Sequence, residues 1–393
     1  MNRNENRKRK RRRKEKQFWR LLSALLSLLV VLIAINVYDF GPGEQQTVSK
    51  LVAESALIER DLPEKENYLD PKLIIEEEDL HEPITISFAG DVLLDSGVGK
   101  DMEAHGVSYP FKHVASLLAK ADLAAVNLET PVSTRGAPFQ KQFTFRSRPE
   151  TLQGVADAGI DVVSLANNHT LDYGEKALLD TMDHLQAYRI GYTGAGKNEK
   201  EAFAAYYTTI KGKKIAILGL SRVLPDVSWF AKKDRAGIAN AYHEEPMMGY
   251  VKKAVQSSDY TIVMIHWNKE LADYPEGYAK TLARQFIDAG VTAVIGSHSH
   301  SLMGIEYYKG SPIYYSLGNF VFTNSSVQKG RETMIAHITL DNGAVSSSLT
   351  PLKIVAHQPV PMDKAYNEQL IKKLNDLSYN VQIDEKGNVS LAD

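Results

Sequence analysis

Five apolar runs in this chain end in residues able to ligate a metal or carry a proton. ITISFAG (84–90) runs into Asp91, LAAVNL (123–128) into Glu129, and DVVSLAN (161–167) closes on Asn167-Asn168-His169. YTIVMIH (260–266) ends at His266, and VTAVIGS (291–297) is followed by His298-Ser299-His300. Carboxylate, amide oxygen and imidazole together favour a hard or borderline divalent ion (Mn, Zn, Fe or Mg) over a soft one. Such an ion polarises a phosphoryl or carbonyl oxygen and lowers the pKa of bound water. The chain has no cysteine, which excludes disulfides, thiolate metal sites and a cysteine nucleophile.

Taken singly, these residues have ordinary explanations. Gly90-Asp91 reads as a turn or a helix N-cap, Glu129 before Thr130-Pro131 as a solvated loop acid, and Asn167-Asn168 as a left-handed turn. A lone histidine is more often a packed structural residue than a ligand. The other seven histidines are read as surface or core residues, or lie in uninformative polar stretches. What argues for a site is the joint placement at strand ends. On a regular strand His298 and His300 share a face; with the chain bent at Ser299 they can still ligate together.

The elements that must position these residues follow from the apolar pattern. The five runs and KIAILGL (214–220) are short and rich in β-branched residues. They alternate with helical stretches near 111–119, 149–158, 174–188, 246–256 and 276–289. That alternation implies βαβ units with largely parallel pairing. In open sheets of this kind the ligand crevice lies outside the carboxyl ends of the strands, so topology alone gathers distant residues at one rim. After Ser301 the texture turns to hairpins, with a Lys-Gly-Ser-Pro turn and an Asp-Asn-Gly turn. The expectation is an α/β domain over 83–360 with mixed sheets, then one amphipathic helix and a polar tail over 361–393.

Ahead of this domain the charge is lopsided. Residues 1–20 carry eleven Lys or Arg against two Glu, so a net charge of −2 for the chain leaves −11 for the remainder. A basic head on an acidic body does not suit a nucleic-acid-binding fold, so no nucleic acid is expected as a partner. Residues 21–38, LLSALLSLLVVLIAINVY, are uncharged and, extended through Phe18 and Trp19, reach the roughly twenty residues of a membrane-spanning helix. No A-x-A cleavage pattern follows. The basic block on one side makes residues 1–20 a cytoplasmic head. Residues 39–82 then form a polar stalk, and the main domain lies outside the cell membrane on a single-pass anchor.

Six blocks occur in an order that resembles the CapA/PgsA family of capsule and poly-γ-glutamate biosynthesis proteins. They are FAGDVLLDSG (88–97), NLETPVS (127–133), SLANNHTLDYG (164–174), HWNKE (266–270), GSHSH (296–300) and YSLGNF (315–320). That family is similar in turn to calcineurin-like metallophosphoesterases, so the resemblance implies a metallophosphoesterase-like αββα sandwich. It implies Asp91, Glu129, Asn168, His266, His298 and His300 as metal ligands. His169 takes the place of the histidine that protonates the leaving group or orients the phosphate. Glu270 and Asn319 fall in the shared motifs as supporting or substrate-orienting groups; Asn167, beside Asn168, and Arg146, by its charge, are counted with them. There are departures. Metallophosphoesterases open with Asp-x-His, whereas Asp91 is followed by Val92-Leu93, and Glu129 stands where the bridging acid is Asp. Many family members carry His-Trp-Gly and Gly-His-His-Pro-His; this chain has His266-Trp267-Asn268 and Gly296-Ser297-His298-Ser299-His300. One ion or two are both compatible with that pattern.

Three functions follow as expectations. The first is a metal-dependent hydrolase acting outside the membrane on a phosphoester or an amide of an envelope polymer. The second is a non-catalytic component of a synthesis or export complex that binds an anionic polymer such as poly-γ-glutamate, alongside other subunits. The third is an adaptor working only through its anchor and stalk. Lys141, Arg146 and Arg148 in QKQFTFRSRPE are read as solvated loop charges in preference to carboxylate-binding groups.

Overall fold

The structure, a computed structural model, describes residues 82–392. Its strands in chain order begin with β1 (Ile84–Val92), β2 (Leu123–Leu128), β3 (Val162–Ser164), β4 (Gly191–Thr193), β5 (Ala195–Gly196) and β6 (Tyr206–Ile210). Next come β7 (Lys213–Ser221), β8 (Gly237–Ile238), β9 (Tyr260–His266), β10 (Ala293–Ser297), β11 (Ile305–Tyr308) and β12 (Ser311–Tyr314). The last are β13 (Asn319–Val321), β14 (Glu332–Asp341), β15 (Ala344–Val355), β16 (Gln358–Val360), β17 (Val381–Ile383) and β18 (Asn388–Leu391).

A ten-stranded sheet has the order β17-β18-β15-β14-β1-β2-β3-β4, with β13 paired to β1 and β16 to β15. A six-stranded sheet has the order β11-β12-β10-β9-β7-β6. Parallel pairing joins β1 to β4 in the first and β7, β9, β10 and β12 in the second. Antiparallel strands flank both, so both sheets are mixed.

Strand side chains alternate between faces, and here both faces are apolar. Ile84, Ile86 and Phe88 of β1 meet Ile215 and Ile217 of β7 and Ile262 and Met264 of β9 between the sheets. The alternate residues point outward. Val126 and Val163 pack on Leu152, Leu178 and Met182 from the helices Thr151–Asp157 and Gly174–Ala187. Leu218, Leu220 and Val263 pack on Val251 and Phe286 from the helices Glu244–Gln256 and Gly277–Asp288. The layers therefore run helix, sheet, sheet, helix.

The sequence reading differs from the structure in three places. The helix expected at 111–119 is a 3-10 turn, Tyr109–Phe111, followed by one helical turn, Ala115–Leu118. A ten-residue helix, Ser96–His105, lies just upstream; it buries only Val98 and Met102, and its Gly97 and Gly99 disguise it. The third difference is the C-terminal tail. Helix Lys364–Leu377 is present, but the segment after it is the hairpin β17–β18, joined to β15. Val381, Ile383 and Val389 of this hairpin are buried in the inter-sheet core. No helix among the described residues is long and apolar enough to cross a membrane. The basic head, the anchor at 21–38 and the stalk up to residue 81 lie outside the described residues.

Candidate metal centre

Strand register sets two rows of residues opposite each other. Asp91 is abreast of Asn127, and Asn127 of Ser164, in the ten-stranded sheet. Ser221, His266 and Ser297 are abreast in the six-stranded sheet. The carboxyl ends of the two sheets face each other, and side chains from both meet there.

Asp91 reaches this space because β1 breaks its alternation. Its register against β2 shifts between Phe88 and Asp91, and both Ala89 and Val92 end up on the outer face. A one-residue slip turns the following side chain to the other face of a sheet. Gly90 permits the slip, since a Cβ there would lie 1.9 Å from the Gly318 carbonyl oxygen. On the opposite row β10 stops at Ser297, and His298 and His300 take left-handed φ values of 91° and 53°. The chain is thus bent on both sides of Ser299, and the two imidazoles fall within one donor cluster.

Three overlapping groups of donor atoms result, each with all atoms within 4.8 Å of one another: Glu129, His266 and His298; Asp91, Glu129 and His300; and Glu270, His298 and His300. Glu129 is the shared member of the first two. It is 1% exposed, and neither carboxylate oxygen has a hydrogen-bond partner. His298 Nδ1 is likewise buried without one. Buried polar atoms are normally paired, and an unpaired carboxylate is costly. The donor set of carboxylates and imidazoles, with two orphaned oxygens at its middle, fits a divalent cation of the Mn, Zn, Fe or Mg type.

Supporting bonds orient the donors. His266 presents Nδ1 to Ser297 Oγ at 2.9 Å, while its Nε2 lies 2.7 Å from Asn168 Oδ1 and 3.7 Å from Glu129 Oε1. His300 Nδ1 meets Asn319 Oδ1 at 2.8 Å, leaving Nε2 3.8 Å from Glu129. Asn127 Nδ2 donates to Asp91 Oδ1 at 2.8 Å, and Asn167 Nδ2 donates to Asn127 Oδ1 at 3.1 Å. Asn167 Oδ1 accepts the His169 N–H, which pins the turn that carries Asn168 and His169.

The charges follow from burial and neighbours. Burial, with Asp91 close by, raises Glu129 well above the usual carboxylate range. Burial, with His298 and His300 nearby, lowers His266 well below the usual histidine value. His298 is pushed down to about 3 by burial and by His300. Burial opposes charge on His300 too, but the Glu129 and Asp91 carboxylates outweigh it and raise it to about 10. Neutral His266 and His298 each keep one ring nitrogen unprotonated, as ligation requires, and His298 Nδ1 has no other partner among the described residues.

At one side of this cluster sits His169, 8% exposed, with Nδ1 2.7 Å from Asp172 Oδ2 and its ring 4.7 Å from that of Phe145. Burial lowers its pKa and Asp172 partly offsets this. Lys141 is no solvated loop charge. Its Nζ lies 2.5 Å from the Asn168 carbonyl oxygen, 3.1 Å from His169 Nδ1 and 2.5 Å from Asp172 Oδ1. Arg148 does lie at the surface, paired with Glu103 and Glu150.

The rim thus gathers Asp91, Glu129, Asn168, His169, His266, His298 and His300, with Asn167 and Asn319 behind them and Glu270 on the exposed side. Arg146 stands apart from the donor cluster. Its guanidinium donates to the Arg135 carbonyl and stacks 4.1 Å over Tyr173. Asn127, Lys141, Asp172 and Ser297 do not emerge from the sequence as site residues. Asp172 had a signal, three residues beyond His169 within the same motif block. Two departures from the family pattern also find physical explanations. Asn268 has φ 73°, a left-handed conformation that Gly and Asn tolerate best, and Ser297 holds His266.

Comparison with known proteins agrees with the motif order. Residues 85–324 match the family described as Bacterial capsule synthesis protein PGA_cap. The PGA biosynthesis protein CapA of Bacillus subtilis (strain 168) is 30% identical over 72% of this chain and 74% of its own length. The capsule biosynthesis protein CapA of Bacillus anthracis is 28% identical over 74% and 72%. A crystal structure of TT1561 of Thermus thermophilus superposes with a TM-score of 0.37 at 12% identity, over 68% of this chain and 98% of that one, too distant to transfer anything. By extent of match and by identity, the chain belongs to the bacterial capsule synthesis protein PGA_cap family.

Proposed function

We propose that the protein is a membrane-anchored component of capsule or poly-γ-glutamate synthesis or export. Its domain outside the membrane hydrolyses a phosphoester or an amide of an envelope polymer at the metal centre. The family and the names of its relatives support the polymer; the basic head and apolar run of residues 1–38 support the anchor. One observation carries the chemistry: Glu129 is buried with both oxygens unpaired among three histidines and a second carboxylate.

In this reading Glu129, His266 and His298 hold a divalent ion, with Asp91, His300 and Asn168 as the adjoining donors. That ion supplies Lewis acidity to the reacting oxygen and to water. Ser297 and Asn319 hold the imidazoles of His266 and His300 in the orientation ligation needs. Asp172 accepts the hydrogen bond from His169 Nδ1–H, which leaves Nε2 facing the leaving group, to orient it or, in the imidazolium form, to give it a proton. Lys141 offsets the Asp172 charge and ties His169 to the Asn168 carbonyl.

The test is turnover by the full-length protein, supplied with Mn²⁺, of bis(4-nitrophenyl) phosphate and of a γ-glutamyl amide. Turnover that a chelator abolishes and that His169→Ala lowers about a hundredfold is expected. Metal-loaded protein that turns over neither contradicts hydrolysis and leaves an anionic-polymer-binding rim. One observation favours that second reading: Leu93, buried and apolar, occupies the position where metallophosphoesterases carry a histidine.

A further inference from the structure

A second cavity lies one strand away from the metal centre. Arg222 directly follows β7, and its backbone N–H donates to the His266 carbonyl at 2.8 Å. Its guanidinium stacks against two rings, 5.0 Å from the Tyr242 centroid and 4.7 Å from the Tyr278 centroid. One terminal nitrogen donates to the carbonyls of Ala241 and Tyr242. Among the described residues the guanidinium pairs with no carboxylate, so its remaining N–H groups have no protein acceptor. They border a cleft of about 300 Å³ lined also by Glu244, Thr281 and Gln285.

Tyr278 contributes a second donor. Its hydroxyl accepts the Asn268 N–H at 2.9 Å, and its own proton is committed to no acceptor among the described residues. The cleft therefore offers a guanidinium fixed by two rings and two carbonyls, a tyrosine O–H, and polar groups from Thr281 and Gln285. A rigid planar fork of this kind recognises a planar anion in two-point fashion. Glu244 on the wall limits the charge the cleft can take. One guanidinium facing one carboxylate suits a monoanion better than a phosphate dianion.

We propose that the Arg222–Tyr242–Tyr278 cleft is a carboxylate-binding subsite that holds an acidic unit of a polymer chain. Ser221 is abreast of His266, so Arg222 leaves the six-stranded sheet at the same strand ends that carry the metal centre. That a neighbouring unit is placed at the metal centre rests on the function proposed above; recognition of the carboxylate by the cleft does not.

Calorimetric titration of the full-length protein with a γ-linked glutamate hexamer tests this, with bound metal measured on the same samples. Arg222→Gln is expected to raise the Kd about tenfold or more, as loss of a charged hydrogen-bonding partner does, with metal content unchanged. Tyr278→Phe keeps the ring on the guanidinium and is expected to raise the Kd about threefold. Succinate should compete with the hexamer, and inorganic phosphate at equal concentration should not. An unchanged Kd in both variants, no binding of the hexamer, or competition by phosphate equal to that of succinate would overturn the subsite. Tyr278→Phe decides alone where Arg222→Gln does not fold. Arg222-dependent binding by a protein that takes up no metal keeps the subsite and removes the hydrolase. Metal-loaded protein whose binding ignores Arg222 does the reverse.

Discussion

Two glutamates in this fold are almost equally buried and are treated in opposite ways. Glu306, 2% exposed, accepts from Arg284 Nε and Nη2 at 2.9 and 2.6 Å and from the Tyr315 hydroxyl at 2.6 Å. Glu129, 1% exposed, accepts a hydrogen bond from nothing; its neighbours are Asp91, the His266 and His298 imidazoles that burial holds neutral, and His300, whose Nε2 stays 3.8 Å away. A buried carboxylate that serves packing is given its counter-ion within the chain. One left without a partner destabilises the metal-free fold, and a bound cation relieves that cost. The contrast separates a structural ion pair from a ligand site without reference to any relative.

The largest effect that can break this contrast is at Glu129 itself. Glu129→Gln should weaken metal binding about a hundredfold and abolish the rise in Tm that added Mn²⁺ gives the wild type. The same change should leave the metal-free protein as stable or more so, by about 1 kcal/mol, since a buried carboxyl that ionises only at a cost is replaced by a neutral amide. Arg284→Ala should do the opposite. Metal content stays intact, and stability falls by about 2 kcal/mol in urea unfolding; this is below the usual 3–5 kcal/mol for a broken buried pair because Arg284 is 45% exposed. A third variant sharpens the catalytic side: Asp172→Asn should lower turnover about tenfold with metal content unchanged, because the hold on His169, Lys141 and the Phe145 N–H is weakened while the metal donors are untouched.

The smallest effect concerns pH. Asp180 is held down to about 2 by hydrogen bonds from Arg135 and Ser133. Its folded pKa is depressed, so its contribution is complete above the unfolded value of about 3.9 and is lost as pH falls through about 2. Arg135 is 64% exposed, so solvent screening limits the contribution to about 1 kcal/mol. Asp180→Asn should therefore destabilise at pH 6 by about that amount and by almost nothing near pH 2, read from urea midpoints at the two pH values.

Much of the site was legible because parallel strands deliver their carboxyl ends to one place. Asp91, Glu129, His266 and His298 are hundreds of residues apart at the extremes, yet each follows a continuous apolar run whose direction the βαβ pattern dictates. The less visible features depend on geometry that side-chain identity does not encode. The bulge at Gly90 that turns Asp91 inward is a matter of register. Lys141 sits in a loop of ordinary polar composition, and only the folded path brings it to Asp172. Helix Ser96–His105 is masked in the sequence for a compositional reason, since two glycines and only two buried apolar residues blur its periodicity. The C-terminal hairpin is short, and its three inward apolar residues are too few to stand out against a polar tail.

Metal content is the most direct measurement. Full-length protein purified in the presence of Mn, Zn and Fe and subjected to elemental analysis should carry at least one equivalent of a divalent ion. The Glu129→Gln and His298→Ala variants should lose it while keeping their circular dichroism. A wild type that is folded and still metal-free under these conditions would contradict the central claim that the unpaired Glu129 cluster is a cation site.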